Sequence, residues 1–166
     1  MENLSIREFQ DSDESDLIQL FFEFGEYLKR CDEKAMNLLT VPDDYGQKFY
    51  MKMITDAQNK NGKVYVLVDD QKIVGFVGGI IIEVGIDPDD FDCKSHRMGR
   101  ITDLFLSEKY RGFGYGAKLM NTLENYFKEK GCYKINIEVF GPNVDSYNFY
   151  KKHGYSDRNI DLAKVI

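Results

Sequence analysis

The sequence predicts an α/β protein in which a mixed sheet, one layer thick, is covered by helices. The middle of the chain contains a meander of apolar strands separated by turn residues. The last third contains a strand, a glycine-rich loop, a helix and a further strand. Such a β-α-β unit places its strands in parallel, so the sheet combines both kinds of pairing. We expect residues 1–166 to form one domain, since that length is typical of one.

The first sixty residues predict one strand and two helices. Alternation predicts an opening strand over Ser5–Phe9, and Asp11–Asp13 offer caps for the helix that follows. The apolar positions of that helix recur at helical spacing: Leu17, Leu20, Phe21, Phe24, Leu28 and Cys31. A second helix is predicted over Tyr45–Asn59, and both helices are expected to pack on the sheet.

Turn residues divide the next segment into a hairpin and a loop. The hairpin strands are predicted at Lys63–Val68 and Lys72–Val84. Gly75, Gly78 and Gly79, inside the second strand, indicate a bulge or a close backbone approach. The stretch Gly85–Gly99 has no periodicity, so it is predicted to be a long loop.

The remaining elements follow in a regular order. A strand over Ile101–Leu106 is predicted to lead through the glycine-rich loop to a helix over Lys118–Lys130. A second strand over Lys134–Phe140 precedes a helix that begins near Asn143. A last short strand is predicted near Leu162–Ile166.

Composition excludes several classes of function. The 22 basic and 28 acidic residues give a net charge of −6, which disfavours a nucleic-acid partner and mildly favours a cationic acceptor such as an amine. The chain has no apolar run near the roughly twenty residues of a membrane helix and no signal-peptide pattern, so we expect a cytoplasmic protein with no membrane partner. Cys31, Cys93 and Cys132 are widely spaced, so we expect reduced thiols and no metal site.

The most informative segment is Arg111-Gly112-Phe113-Gly114-Tyr115-Gly116-Ala117, called the glycine loop below. Its three glycines lack the Cβ that would hold an approaching group away. Several backbone N–H donors can therefore converge at the start of the next helix, which is a binding site for a pyrophosphate. The guanidinium of Arg111 adds a fixed positive charge suited to phosphate oxygens.

Two nucleotide-binding motifs fit this loop less well. A Walker loop ends in Gly-Lys-Ser/Thr, whereas Gly116 is followed by Ala117. The dinucleotide fingerprint matches Gly112, Gly114 and Ala117, with Glu138 about twenty residues on. That fingerprint opens a doubly wound domain, however, and here the motif begins after two thirds of the chain. A dinucleotide-binding oxidoreductase therefore stays a minor alternative.

A second motif, Asn143-Val144-Asp145-Ser146-Tyr147-Asn148-Phe149-Tyr150, follows the glycine loop and closes on Gly154. In this order and at this separation, the two motifs resemble those of the GNAT superfamily of N-acetyltransferases. The match covers roughly residues 64–156 well and the first sixty loosely. The resemblance implies a largely antiparallel central sheet with helices on both faces and a β-α-β unit that binds acyl-CoA.

The resemblance also implies where acetyl-CoA, as co-substrate, would bind. The glycine loop and Lys118 after it would hold the pyrophosphate. The backbone of Leu104, Phe105 and Leu106 would pair with the pantetheine arm and aim an N–H at the thioester oxygen. Asn143 resembles the family residue that binds the arm, although a simple N-cap is the alternative for it.

Catalytic roles are implied for three residues. Tyr150 aligns with the tyrosine that protonates the leaving thiolate, and a phenol with a pKa of about 10 is a fair acid for a thiol. Core packing is the alternative for Tyr150. The base that deprotonates the amine would be Asp103, or Glu83 as second choice, with His96 a distant third. Orientation of the substrate, or hydrogen bonding within the strand, is the alternative for Asp103.

The sequence therefore predicts an N-acetyltransferase that moves the acetyl group of acetyl-CoA to a primary amine of a small molecule or peptide. Direct attack in a ternary complex is expected, because no activated serine or cysteine is evident. The competing hypothesis is a non-catalytic acyl-CoA-binding or regulatory module. The expected partners are acetyl-CoA and an amine-bearing acceptor, with a homodimer left open.

Overall fold

The structure, a computed structural model, describes residues 4–32, 38–85 and 94–164. Within these residues, five strands form one sheet in the order β1-β2-β3-β4-β5. The strands are β1 (Leu4–Glu8), β2 (Lys63–Asp69), β3 (Lys72–Val84), β4 (His96–Leu106) and β5 (Lys134–Asn136). The helices are α1 (Glu14–Asp32), α2 (Tyr45–Asn59), α3 (Tyr115–Glu129) and α4 (Val144–Lys152). None of the described helices combines the length and apolarity needed to cross a membrane.

The sheet is antiparallel from β1 to β4, and β5 joins it parallel to β4. The predicted mixed, largely antiparallel sheet is thus confirmed, with β4-α3-β5 as its β-α-β unit. Strand β5 pairs with β4 only at Met98–Arg100, whereas β4 continues to Leu106. From Ile101 to Leu106, one edge of β4 has no strand partner among the described residues. We call this stretch the free edge of β4.

Helices cover both faces of the sheet, as predicted. On one face, α1 and α2 pack around an aromatic cluster that includes Phe21, Phe24, Phe76 and Phe105. On the other face, Leu119, Leu123 and Phe127 of α3, with Tyr150 of α4, pack on a second cluster. The free edge of β4 therefore lies between two helical layers.

A bulge in β4 confirms the prediction made from the glycine pair in β3. Gly78 pairs with Asp103, whereas Gly79 pairs with Ile101, so Thr102 is an extra residue in β4. The extra residue interrupts the alternation of side chains along the strand. Thr102 and Asp103 therefore both lie on the α1-α2 side of the sheet.

Several predicted boundaries were wrong. Strand β4 begins at His96, inside the predicted loop Gly85–Gly99, because the long strand β3 offers pairing partners as far as Val84. Residues 86–93 of that predicted loop, including Cys93, lie outside the described residues. Helix α3 begins at Tyr115, within the glycine loop.

The strand predicted over Lys134–Phe140 ends at Asn136, because residues 137–140 leave β4 and have no regular secondary structure. Residues 162–164 of the predicted last strand are also irregular. Residues 165 and 166 lie outside the described part of the chain.

Helix α3 packs closely on the sheet because two strand positions are glycine. A Cβ added to Gly99 would lie 2.5 Å from Cδ2 of Phe127, and one added to Gly79 would lie 2.7 Å from Cζ of the same ring. Phe127 is fully buried. The two glycines therefore set the height of α3 above the sheet, and with it the position of the glycine loop.

Gly99→Ala is expected to lower the free energy of unfolding by about 1–3 kcal/mol, since the added methyl group overpacks the Phe127 ring. Urea denaturation measures the change. Gly141→Ala is the matched control, because a Cβ there meets nothing within 4 Å. Equal stability of the two variants would contradict this account of the helix–sheet contact.

Candidate functional site

The glycine loop connects β4 to α3 through a short 3-10 turn, Glu108–Tyr110. Gly112 and Gly114 have φ angles of 82° and 83°, a left-handed conformation that other residues rarely adopt. Gly114 is the N-cap of α3. The loop thus leads the chain into the helix without a side-chain cap, and the first N–H groups of α3 are left for an anion.

The end of β4 presents backbone groups along its free edge. The N–H of Ser107 donates to the carbonyl of Val74 at 3.0 Å, so Leu106 and Gly75 form a non-hydrogen-bonded pair. The N–H and C=O of Leu106 therefore point to the free edge, and by alternation so do those of Leu104. Phe105 is a correction to the predicted set, because its backbone groups face β3 and its ring is buried in the aromatic cluster.

Arg111 is held by contacts within the protein. Its Nε donates to the carbonyl of Leu106 at 2.9 Å. Its guanidinium carbon lies 4.9 Å from the ring centre of Tyr27 and 5.2 Å from that of Phe105. These contacts orient the guanidinium while the residue stays exposed, so its outer nitrogens remain accessible to a phosphate.

Asn143 is the N-cap of α4. This is one of the two roles that the sequence predicted for it, the other being binding of the pantetheine arm. Its Oδ1 accepts from the N–H of Ser146 at 3.3 Å and from the hydroxyl of Tyr27 at 2.9 Å. The second contact crosses from α1 on one side of the sheet to α4 on the other. The ring of Tyr27 also packs on Phe105, with ring centres 5.9 Å apart.

Tyr150 is 7% exposed, and its ring packs on Phe149 and Tyr155. Its hydroxyl has no hydrogen-bond partner among the described residues. Burial raises the pKa of the Tyr150 phenol, and the nearby charge of Asp103 and phenol of Tyr27 add to the effect. The phenol is therefore protonated at neutral pH, as an acid must be.

Asp103 lies on the α1-α2 side of the sheet, beside the free edge of β4. Burial raises the pKa of its carboxyl to about 6, against the opposing effects of the Thr102 hydrogen bond and the charge of Lys52. Burial raises the pKa values of Tyr150, on α4, and Tyr45, on α2, and the charge of Asp103 raises both further. A carboxylate that titrates near neutral pH is suited to general base chemistry.

The structure does not bring Glu83 to this group. Glu83 lies on β3 five positions beyond Gly78, the partner of Asp103, which is roughly 17 Å along a strand. Its carboxylate is exposed and binds Nε of Arg97 at 2.7 Å. His96 lies at the same end of the hairpin, where its Nδ1 contacts the carbonyl oxygen of Lys94 at 2.7 Å.

Tyr27 and Tyr45 were not among the site residues predicted from the sequence. A tyrosine on the apolar face of α1 is indistinguishable from core, and Tyr45 is simply the first residue of α2. One signal for Tyr45 was present: Gly25, in the middle of α1, where glycine is unfavourable. A Cβ on Gly25 would lie 2.5 Å from Cε1 of Tyr45, so this glycine makes room for the tyrosine.

These residues define a tyrosine–aspartate cluster, Tyr27, Tyr45, Asp103 and Tyr150, beside the free edge of β4. The cluster combines a carboxylate that can accept a proton with a phenol that retains one, an arrangement that supports acid–base chemistry. Among the described residues, no group of histidine, cysteine and carboxylate side chains is arranged to hold a metal ion.

This chain is similar to known acetyltransferases. The acetyltransferase (GNAT) family model matches residues 17–155. An uncharacterised N-acetyltransferase of Methanocaldococcus jannaschii is 33% identical over 97 residues, which are 58% of this chain and 54% of that protein. The chain thus spans about half the length of that relative.

Two further similarities extend over more of the chain. The thialysine N-epsilon-acetyltransferase of Bos taurus is 23% identical over 154 residues, 92% of this chain and 84% of that protein. The crystal structure of a Bacillus halodurans protein, solved as a point mutant, superposes with a TM-score of 0.80 at 20% identity and covers 98% of this chain and 99% of that one. At that identity the superposition establishes the fold alone.

Asp103→Asn is expected to raise the free energy of unfolding at pH 7.5 by about 1–3 kcal/mol. The pKa of Asp103 rises from 3.8 to about 6 on folding, so at neutral pH ionisation is less favourable in the folded state than in the unfolded chain. The advantage of asparagine should shrink as the pH falls through 6 and vanish below about 4, where both states hold the proton. Urea denaturation across this pH range measures it.

Asp13→Asn is the control with the opposite sign. Arg7 binds the Asp13 carboxylate at 2.6 Å and lowers its pKa, so this carboxylate stabilises the fold above about pH 4 and the variant should be less stable at pH 7.5. A loss of stability in Asp103→Asn at pH 7.5 would contradict the assigned burial of Asp103.

Proposed function

This chain belongs to the acetyltransferase (GNAT) family, and we propose that it transfers the acetyl group of acetyl-CoA to a primary amine of a small molecule or peptide. The observation that carries the proposal is the position of Asp103 and Tyr150. The charge of Asp103 acts on the Tyr150 phenol, and Asp103 lies on the strand that leads directly into the glycine loop. Donor binding and acid–base chemistry would thus share one strand.

The donor would lie along the free edge of β4. The pyrophosphate would accept hydrogen bonds from the N-terminus of α3, with Arg111 and Lys118 supplying positive charge. The pantetheine arm would pair with the outward backbone groups of Leu104 and Leu106, as an added strand does. The gap left by the early end of β5 is where such an arm fits.

The reaction would proceed by direct attack. An acceptor that arrives as an ammonium ion first gives one proton to Asp103. The neutral amine nitrogen then forms a bond to the thioester carbon, whose carbonyl electrons move to the oxygen. The carbonyl forms again as the carbon–sulfur bond breaks, Tyr150 gives its proton to the departing thiolate, and the second nitrogen proton returns to the Tyr150 phenolate. The raised pKa of the Tyr150 phenol keeps its own proton in place until the thiolate forms.

The surroundings of Asp103 support an amine as the acceptor. An alkyl amine is a cation at neutral pH, and a carboxylate beside aromatic rings attracts cations. The relative from Bos taurus is named for N-epsilon acetylation of thialysine, which supports the same class of acceptor.

Calorimetric titration with acetyl-CoA, paired with a thiol-release assay over a panel of amines, tests the proposal. Binding together with thiol release on at least one amine is the expected result. Binding without turnover on any amine would favour the non-catalytic acyl-CoA-binding module instead.

Gly114→Glu is expected to weaken acetyl-CoA binding at least about 100-fold, because a carboxylate would face the phosphates at the N-terminus of α3. Isothermal titration measures the affinity. Gly131→Glu is the matched control, since Gly131 also has a positive φ, 74°, with nothing near its Cβ, but follows the other end of the same helix. Equal affinities would refute the assignment of the glycine loop.

Tyr150→Phe is expected to lower kcat by roughly 10² to 10⁴-fold while the affinity for acetyl-CoA changes little, because only the proton donor is lost. Steady-state kinetics and titration separate the two effects. Tyr155→Phe is the control: its hydroxyl binds Glu124 at 2.7 Å and its ring packs on Tyr150. Equal losses of turnover and affinity in Tyr150→Phe would make Tyr150 a binding residue.

A further inference from the structure

We propose that Tyr27 is a positioning residue for acyl-CoA: its hydroxyl fixes the amide of Asn143 so that the NH2 group is left to donate to the bound donor. The inference rests on the proposed function. It assigns a role to a side chain of α1, which neither motif contains.

The amide of Asn143 has one orientation that satisfies its neighbours. Its Oδ1 accepts from the Tyr27 hydroxyl at 2.9 Å and from the Ser146 N–H at 3.3 Å. These two bonds use both lone pairs of the oxygen. A flipped amide would turn its NH2 group towards the Ser146 N–H, which is itself a donor. The NH2 group therefore points away from both partners and has no acceptor among the described residues.

Tyr27 also contacts the glycine loop and the residue of β4 that lies between Leu104 and Leu106, the two residues proposed to pair with the donor. Its ring lies 4.9 Å from the guanidinium carbon of Arg111, in the glycine loop, and packs on Phe105 near the end of β4. One side chain thus joins the loop, the free edge of β4 and the first residue before α4. A donor held by all three would gain from their fixed relative positions.

The chemistry of the NH2 group fits the donor. An amide NH2 is a neutral hydrogen-bond donor, and the pantetheine arm carries amide carbonyls that accept such bonds. If the Tyr27 hydroxyl is removed, the ring contacts stay but the Asn143 amide is held by Ser146 alone. Binding of acyl-CoA must then also fix the orientation of the Asn143 amide, which lowers the affinity.

The test compares acetyl-CoA affinities by isothermal titration without an acceptor. Tyr27→Phe is expected to weaken binding roughly 3- to 10-fold, the effect of one hydrogen bond. Asn143→Ser keeps a helix cap but has no NH2 group, and is expected to weaken binding by a similar factor. In the double variant, Tyr27→Phe should add less than about twofold, because the two residues act through one contact.

Tyr126→Phe is the matched control, since its hydroxyl also makes one hydrogen bond, to the carbonyl of Asn61 at 2.7 Å, away from this site. It should bind like the wild type. Wild-type affinity in Tyr27→Phe, or full additivity in the double variant, would overturn the role of Tyr27 and leave the proposed function standing. If Tyr27→Phe does not fold, wild-type affinity in Asn143→Ser overturns it. A wild-type protein that fails to bind acetyl-CoA would overturn both.

Discussion

The site depends on the early separation of β5 from β4. Three residues of β5 pair with Met98–Arg100, and β4 then continues alone to Leu106. Because the two helical layers lie on opposite faces of the sheet, the gap gives side chains of α1 and α4 access to each other. The bond between Tyr27 and Asn143 and the effect of Asp103 on Tyr150 both cross at this gap.

A second constraint is the bulge in β4. If β4 alternated regularly from Ile101 through Thr102, with no bulge, Asp103 would lie on the face of the sheet covered by α3 and α4, among the apolar side chains of the second cluster. The bulge turns it instead towards α2, where Tyr45 and Lys52 lie. The bulged conformation thus decides whether this carboxylate lies in the second cluster or faces α2.

Much of this arrangement was predictable from the sequence, for physical reasons. The strand–loop–helix order and the bulge in β3–β4 follow from glycines at positions where backbone geometry demands them, such as Gly78 and Gly114. What could not be predicted depends on contacts between distant segments. The apolar spacing of α1 marks Tyr27 as core, and only the folded chain brings its hydroxyl to Asn143. The position at which β5 ends could not be predicted either, because residues 137–140 have an apolar, strand-like pattern although they lie outside the sheet.

The contact of Arg111 with the carbonyl of Leu106 has a consequence beyond ligand binding. An unpaired strand edge is a template on which a second chain can add and start aggregation. The guanidinium of Arg111 already bonds the last outward carbonyl of that edge. An incoming strand would therefore have to move this cation away from the rings of Tyr27 and Phe105. The same side chain therefore protects the molecule against association through the unpaired edge along which the donor is proposed to bind.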